Sequence, residues 1–159
     1  DALVEELLLA SRLDASESIE RRDAVDLLAL AVEEGSRVEA EVDGPSLAVL
    51  GDERLLRRAL RNLLENARRY GGGEVTVELA RSSAGAEVRV CDRGPGVPEA
   101  LRDRIFEPFY RLPGHAEQAG GVGLGLSLVR QIAQRHGGSV RCESRQGGGS
   151  CFVLTVPTA

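Results

Sequence analysis

Two asparagines, Asn62 and Asn66, lie four residues apart in the segment RRALRNLLENARRY, which spans residues 57–70. Residues four apart fall on the same side of a helix, so the two carboxamides point the same way. A neutral carboxamide oxygen suits Mg²⁺, which takes oxygen ligands and usually binds few protein groups together with nucleotide phosphates. The simpler alternative is that both asparagines are solvent-facing residues of an ordinary helix.

Three further blocks follow along the chain, at residues 92–96 (DRGPG), 105–111 (IFEPFYR) and 120–126 (GGVGLGL). Each block has a simple structural explanation when it is taken alone. An Asp-x-Gly-Pro-Gly sequence is a common turn, and a lone glycine motif is weak evidence for a nucleotide site. Four blocks in a fixed order form a much stronger signal than any one of them.

In this order and spacing the blocks resemble the N, G1, F and G2 blocks of the catalytic, ATP-binding domain of bacterial sensor histidine kinases. The resemblance covers about residues 18–157. It implies an α+β fold, a two-layer α/β sandwich in which a mixed, mostly antiparallel sheet carries its helices on one face. This Bergerat-type fold is shared with the gyrase, Hsp90 and MutL ATPases, and it would occupy residues 16–159.

The resemblance implies that the domain binds Mg·ATP and positions its γ-phosphate for transfer to a histidine in two-component signal transduction. Asn66 would be the Mg²⁺ ligand, and Asn62 would lie on the phosphate side as a catalytic residue. Asp92 would accept a hydrogen bond from the exocyclic amine of adenine, which guanine lacks, and would therefore select ATP over GTP. Gly94 and Gly96 would let the backbone approach the base closely.

The remaining binding residues are also implied by the resemblance. Arg69 would contact the triphosphate as a catalytic residue, and Tyr70 would lie near the sugar or base. Free N–H groups at the start of the last long helix would hold the phosphates, since a helix N-terminus attracts anions. This phosphate loop consists of Gly121, Val122, Gly123, Leu124, Gly125 and Leu126.

A lid over the nucleotide is expected at about residues 97–122, anchored by the aromatic pair Phe106 and Phe109. Arg111 on this lid would reach the γ-phosphate or a partner helix as a further catalytic residue. For Arg69 and Arg111 alike, the alternative is an ordinary exposed arginine, which is common on protein surfaces.

The phosphoacceptor is expected outside this chain, because neither His115 nor His136 lies in the short acidic motif that the resemblance requires. The related ATPases carry a glutamate in place of Asn62, and an amide is a poor base toward water. We therefore expect ATP to be held with little hydrolysis. Glu65 should face away from the phosphates, since one residue along a helix rotates the side chain by about 100 degrees.

The resemblance further implies partners and a location. The parent would be a homodimer that uses its own dimerisation domain and then phosphorylates a response regulator. It would be anchored in the bacterial inner membrane, with this domain in the cytoplasm. Residues 1–15 have an amphipathic helical pattern, which indicates either the end of the dimerisation hairpin or an ordinary N-terminal helix.

Two rival functions are compatible with the same blocks. A serine kinase of the anti-sigma-factor type shares them, although the helical pattern at Leu3 to Leu13 argues against it. A module that senses ATP without transferring phosphate would use the same binding residues.

Composition supports a single soluble domain without a nucleic-acid partner. The chain has 159 residues and a formal net charge of −5, which offers no basic field for nucleic acid or anionic lipid. The apolar run at residues 7–10 is far shorter than the ~20 residues of a membrane span. The three cysteines, Cys91, Cys142 and Cys151, lack metal-ligand spacing, and we expect all three to be reduced and buried.

The apolar pattern predicts the elements that position these blocks. Helices are expected at residues 26–33, in the asparagine segment with Asp52 as its N-cap, and at about 123–136. Strands are expected at residues 18–24, 38–42 and 47–50, and in two hairpins at 74–81 with 86–92 and 139–144 with 150–157.

Overall fold

The computed structural model describes residues 4, 5, 7–9, 11, 22–71, 73–110 and 125–158. Three helices and seven strands are assigned within residues 22–158 of this part. The helices are α1 (Leu27–Gly35), α2 (Glu53–Tyr70) and α3 (Gly125–Arg135). The strands are β1 (Asp23–Asp26), β2 (Glu41–Asp43), β3 (Ala48–Gly51), β4 (Thr76–Ser82), β5 (Gly85–Cys91), β6 (Ser139–Ser144) and β7 (Ser150–Val156).

Five strands form one mixed sheet in the order β2-β4-β5-β7-β6. The β2–β4 pair is parallel and the other three pairs are antiparallel, while β1 and β3 form a separate antiparallel pair. One face of the large sheet carries apolar side chains that share a single core with the three helices. The opposite face carries ion-paired charged residues, such as Arg89 bound to Glu143 at 2.7 Å. The predicted two-layer α/β sandwich is confirmed.

Helix α2, which carries both asparagines, begins and packs as its sequence predicts. The side chain of Asp52 accepts hydrogen bonds from the N–H groups of Arg54 and Leu55 at 2.9 and 3.3 Å, so it is the N-cap. One face of the helix is buried at intervals of three and four residues. The buried apolar residues are Leu56, Ala59, Leu60, Leu63, Leu64 and Ala67. The amphipathic spacing therefore fixes which face of α2 is left for the asparagines.

A buried carboxylate ties α1 to α2. Glu34 is only 4% exposed, and it accepts hydrogen bonds from Arg57 at 3.0 Å and Arg61 at 2.8 Å. Burial acts to raise the pKa of Glu34, but the hydrogen bonds from Arg61 and Arg57 outweigh it, so the pKa is lowered. The carboxylate of Glu34 is thus ionised and paired with two arginines of α2, which holds α1 against that helix.

Helix α3 ends in a Schellman motif at Gly137, whose φ of 78° favours glycine. The N–H of Gly138 donates to the carbonyl of Ala133 at 2.8 Å, and that of Gly137 to Gln134 at 3.0 Å. The preceding residue, His136, is 4% exposed. Sequence reasoning placed His136 at a helix end, and this is confirmed.

His136 also connects α3 to the start of α2. Its Nε2 accepts a hydrogen bond from the N–H of Asp52 at 3.1 Å, and its Nδ1 lies 2.8 Å from the carbonyl of Ile132. This pattern requires a neutral ring, with Nδ1 as the donor. Burial lowers the pKa of His136 below its ordinary value of 6.5, because a charged ring is disfavoured there.

We predict that His136 makes the fold less stable in acid. Because its pKa is lower in the folded state, its contribution is complete above pH 6.5 and is lost as the pH falls from there toward the folded-state pKa. The free energy of unfolding, measured by urea denaturation across this range, should fall with pH. The variant His136→Asn should show a smaller slope, and an unchanged slope would contradict this assignment.

The first residues of two predicted strands, at 18–24 and 38–42, are not the first residues of β1 and β2 as the structure describes them. Strand β1 begins at Asp23, because Arg22 is not part of a strand; residues 18–21 of the predicted strand lie outside the described part of the chain. Val38, expected to open β2, is the last residue of a 3₁₀ turn at Ser36–Val38, and Glu39 follows with a φ of 56°. The alternation of Val38, Ala40 and Val42 was therefore misleading, because only residues 41–43 are paired with β4.

The N-terminal residues that the structure describes are helical, as their pattern predicts. Leu9 packs against the core, whereas Val4, Leu7 and Leu8 are 43–54% exposed. The assignment of this helix to a dimerisation hairpin stays a prediction.

The expectation for the cysteines is wrong for two of the three. Cys91 and Cys151 form a disulfide that joins β5 to β7, with their Cα atoms 4.1 Å apart. The two residues are directly opposite in the antiparallel register, a relationship that spacing along the chain could not reveal. Cys142 is buried and free, as expected, and burial raises the pKa of its thiol to about 11.

Candidate functional site

The C-terminus of α2 packs directly against the end of β5, which brings the first two sequence blocks together. The carbonyl of Gly71 accepts a hydrogen bond from the N–H of Arg93 at 3.0 Å. A side chain at Gly71 would overlap with the side chain of Asp92, and one at Gly94 would overlap with the carbonyl of Tyr70. Glycine is therefore required at both positions, since only a residue without Cβ permits this approach.

The carboxylate of Asp92 is buried, with an exposure of 5%. Its Oδ1 accepts hydrogen bonds from the N–H of Gly94 at 2.9 Å and from the N–H of Ser150 at 3.2 Å. The described residues form no hydrogen bond with Oδ2. Because Oδ1 is fixed by two backbone donors, the second oxygen has a defined direction in which it can accept a proton donor from a ligand.

The hairpin between β6 and β7 supplies this support, and sequence reasoning missed it. The N–H of Asp92 donates to the carbonyl of Ser150 at 2.9 Å, so the two residues are joined twice. Gly149, the residue before Ser150, has a φ of 102°, and a side chain there would overlap with the carbonyl of Asp92. The glycine cluster at residues 147–149 was the available signal, but it indicated only a turn.

The two asparagines differ in their surroundings. Asn62 is 9% exposed, and its Nδ2 donates to the carbonyl of Gly125, the first residue of α3, at 3.2 Å. Asn66 is half-buried, and its side chain forms no hydrogen bond with the described residues. The structure therefore joins the first block to the start of α3 through Asn62, and it leaves the carboxamide of Asn66 available.

Glu65 lies on another side of α2, as its position in the helix predicts. It is exposed and lines a surface groove of about 120 Å³ together with Arg61 and Arg68. Its carboxylate is therefore directed away from the side of α2 on which Asn62 meets Gly125.

The other predicted site residues are only partly described. Arg69 is exposed and Tyr70 is half-buried at the end of α2. Gly96 has a φ of 80°, which favours glycine at that turn. Leu126 is half-buried in the first turn of α3. Five predicted residues lie outside the described part of the chain, namely Arg111, Gly121, Val122, Gly123 and Leu124.

The beginning of the expected lid is anchored by one aromatic residue rather than two. Phe106 is buried in edge-to-face contact with Phe152, with ring centroids 6.1 Å apart, and the guanidinium of Arg130 lies 4.9 Å from its centroid. Phe109 is 63% exposed and has a φ of 66°, so its expected role as an anchor is wrong. The aromatic pattern could not show that the chain reverses direction between them.

The described residues contain no group of three or more His, Cys, Asp or Glu side chains that could hold a metal ion. The carboxamide oxygen of Asn66 is a neutral oxygen donor, the kind of ligand that suits a hard cation such as Mg²⁺ beside phosphate and water ligands. None of the described helices has the length and apolar character needed to cross a membrane.

Comparison with known proteins identifies a family and several relatives that this chain resembles. The family model "Histidine kinase-, DNA gyrase B-, and HSP90-like ATPase" matches residues 51–159. The adaptive-response sensory kinase SasA of Parasynechococcus marenigrum (strain WH8102) is 44% identical over 77% of this chain and 33% of its own length. The sensor-like histidine kinase SenX3 of Mycolicibacterium smegmatis is 36% identical over 98% of this chain and 44% of its own. The chain thus spans less than half of either relative.

Two solved structures show the same fold. The mycobacterial sensor histidine kinase MprB superposes with a TM-score of 0.73 at 32% identity, covering 87% of this chain and 99% of that one. Full-length ShkA in complex with AMPPNP superposes with a TM-score of 0.79 at 28% identity, covering 99% of this chain and 36% of that one.

Proposed function

Because the chain belongs to the family of histidine kinase-, DNA gyrase B- and HSP90-like ATPases, we propose that it is the part of a sensor histidine kinase that binds Mg·ATP and presents the γ-phosphate to a histidine. The adenine would lie against Asp92, and the phosphates would lie between α2 and the start of α3. Two of the named relatives, SasA and SenX3, are kinases of this type, which supports the proposal.

The observation that carries the proposal is the fixed orientation of the Asp92 carboxylate. Asp92 is 5% exposed, and two backbone donors hold its Oδ1, so Oδ2 is the carboxylate oxygen left to accept a donor at the end of β5. The exocyclic amine of adenine is a donor, whereas guanine has an oxygen at the same position. A charge-assisted hydrogen bond in this buried place would bind adenine and reject guanine.

The residues present also fit the metal that the family implies. Asn66 would bind Mg²⁺ through its carboxamide oxygen, and the phosphates and water would complete the coordination. When bound, the ion would neutralise charge on the phosphates. Asn62 would act differently, because its amide is directed to the carbonyl of Gly125 and so fixes the start of α3 against α2. Arg69 and Arg111 would add positive charge around the phosphates.

Phosphate transfer would go to a histidine on a dimerisation domain outside this chain. The described residues contain one histidine, His136, and both of its ring nitrogens are engaged in a buried place. Water is a poor alternative acceptor, since neither asparagine can serve as a general base and Glu65 is directed elsewhere. Catalysis would then consist of positioning and charge neutralisation.

The partners follow from this assignment. The parent would be a homodimer that phosphorylates an aspartate on a response regulator, and it would be anchored in the bacterial membrane with this domain in the cytoplasm. The helical residues near the N-terminus, with Leu7 and Leu8 exposed, would belong to the end of the dimerisation hairpin.

The proposal predicts acid-labile phosphorylation of the whole protein. Incubation with γ-labelled ATP and Mg²⁺ should label a histidine, which loses the phosphate in acid and keeps it in base. Label on a serine would indicate a kinase of the anti-sigma-factor type, and ATP binding without any label would indicate a sensing module. Either result would refute the assignment as a histidine kinase.

A further inference from the structure

The disulfide between Cys91 and Cys151 lies one residue away from the contacts that hold Asp92. In the register of β5 and β7, Cys91 is opposite Cys151. The next pair joins the N–H of Asp92 to the carbonyl of Ser150 at 2.9 Å, and the N–H of Ser150 to Oδ1 of Asp92 at 3.2 Å. The disulfide therefore links β5 and β7 at the end of their pairing, immediately before Asp92, the candidate adenine acceptor.

The Cys91–Cys151 pair is the last pair in the register of β5 and β7, and past it the two chain segments are joined by the Asp92–Ser150 hydrogen bonds. Strand β5 ends at Cys91, and β7 is preceded by three glycines at residues 147–149 with φ values of 89°, 112° and 102°. Glycine loses more conformational entropy on ordering than any other residue, so the three glycines favour opening at this end of β7. A covalent link at Cys91 and Cys151 restricts that opening.

The third cysteine is poorly suited to exchange with this bond. Cys142 pairs with Phe152 in the register and belongs to the core, whereas Cys91 and Cys151 lie on the opposite face of the sheet. Burial raises the pKa of the Cys142 thiol to about 11, so it stays protonated at neutral pH, and a thiol is a poor nucleophile. Reduction and oxidation therefore concern the Cys91–Cys151 pair alone.

We propose that the Cys91–Cys151 pair is a redox switch on the nucleotide site, which binds adenine tightly when the pair is oxidised and weakly when it is reduced. This inference rests on the proposed function, because it requires that Asp92 bind adenine. In the reduced state the Asp92–Ser150 contacts at the strand end open more often, and the carboxylate loses its fixed direction. Disulfides in reducing compartments are usually transient and redox-sensing, which agrees with this role.

The chemical step is a thiol–disulfide exchange with a dithiol reductant. The reductant supplies two electrons and two protons, and its own two sulfurs become a disulfide. The bond between the two Sγ atoms breaks, and each Sγ leaves as a thiol with one of the protons. Oxidation by a disulfide of the same class reverses the step.

The switch can be tested in the variant Cys142→Ala, in which the only remaining cysteines are Cys91 and Cys151. Thiol counting would give zero in the oxidised state and two in the reduced state. Calorimetry with Mg²⁺ and the analogue AMPPNP should show binding about ten-fold weaker after reduction, a smaller loss than removal of the Asp92 hydrogen bond, because the contacts open only part of the time. Binding of Mg·tripolyphosphate, which has no adenine, should be unchanged.

A matched variant, Cys91→Val with Cys151→Val, should bind AMPPNP equally with and without reductant. Hydrogen exchange supplies a second measurement that needs no ligand. Reduction should accelerate exchange at the N–H groups of Asp92 and Ser150 more than at Val88 in the middle of β5. Uniform acceleration along β5 would overturn the inference, since it would show that the disulfide stabilises the whole strand pair and not the Asp92–Ser150 contacts in particular.

The two proposals fail in different ways. Equal affinities for AMPPNP in the two redox states would refute the switch and leave ATP binding intact. A parallel loss of tripolyphosphate binding would also refute it, because the effect would not be specific to adenine. Absence of AMPPNP binding in both states would overturn the proposed function, and the switch with it.

Discussion

Replacing Asp92 with asparagine should lower the affinity for Mg·ATP by about 100-fold, which corresponds to the loss of one hydrogen bond to a buried charged group. The substitution keeps Oδ1 as an acceptor for the N–H groups of Gly94 and Ser150, so the local backbone should be retained. It replaces Oδ2 with an NH₂ group. This group is a hydrogen-bond donor, so it would face the amine of adenine, which is also a donor, and no hydrogen bond could form. The same group matches the oxygen of guanine. The ratio of ATP to GTP affinity should therefore fall by more than the ATP affinity itself.

Calorimetric titration of both nucleotides into Asp92→Asn checks this result. A suitable control is Asp43→Asn, which changes an exposed aspartate on the edge strand β2 and should leave both affinities unaltered. If Asp92→Asn bound ATP normally, or lost ATP and GTP affinity equally, the carboxylate would have no part in recognising the base.

Replacing Asn66 with alanine should remove the dependence of ATP binding on Mg²⁺. Loss of the carboxamide ligand is expected to weaken binding of the metal in the ternary complex by about 100-fold, since loss of a group that only orients a metal ligand already costs roughly 10–100-fold. ATP affinity without Mg²⁺ should change little. Titration of Mg²⁺ at a fixed ATP concentration measures this directly. The variant Asn66→Asp keeps an oxygen ligand and should retain metal binding.

Asn62→Ala separates the two asparagines. Its amide contacts the carbonyl of Gly125, so its removal should loosen the start of α3 rather than remove a ligand of the metal. We expect a small change in Mg·ATP affinity and a large loss of phosphate transfer in the whole protein. Equal losses of Mg·ATP binding in Asn62→Ala and Asn66→Ala would refute this division of roles.

The parts of the fold that depend on local pattern were predictable from the sequence. The amphipathic spacing of α2, its N-cap at Asp52 and the two antiparallel hairpins all follow from contacts between residues close in sequence.

The features that sequence reasoning missed depend on contacts between distant segments. The support of Asp92 comes from the backbone of Ser150, 58 residues away, and a backbone donor has no signature in the residue type. The disulfide depends on the register between β5 and β7 across a separation of 60 residues. The exposure of Phe109 depends on a local reversal of the chain with positive φ, which its residue type does not favour.

The most direct test of the central claim is calorimetric titration of the oxidised chain with ATP and GTP, each with and without Mg²⁺. We predict tight binding of ATP that depends on Mg²⁺, and binding of GTP that is at least about 100-fold weaker, since guanine lacks the donor that Asp92 accepts. Equal binding of the two nucleotides, or binding of neither, would contradict the account of Asp92 as the residue that recognises adenine.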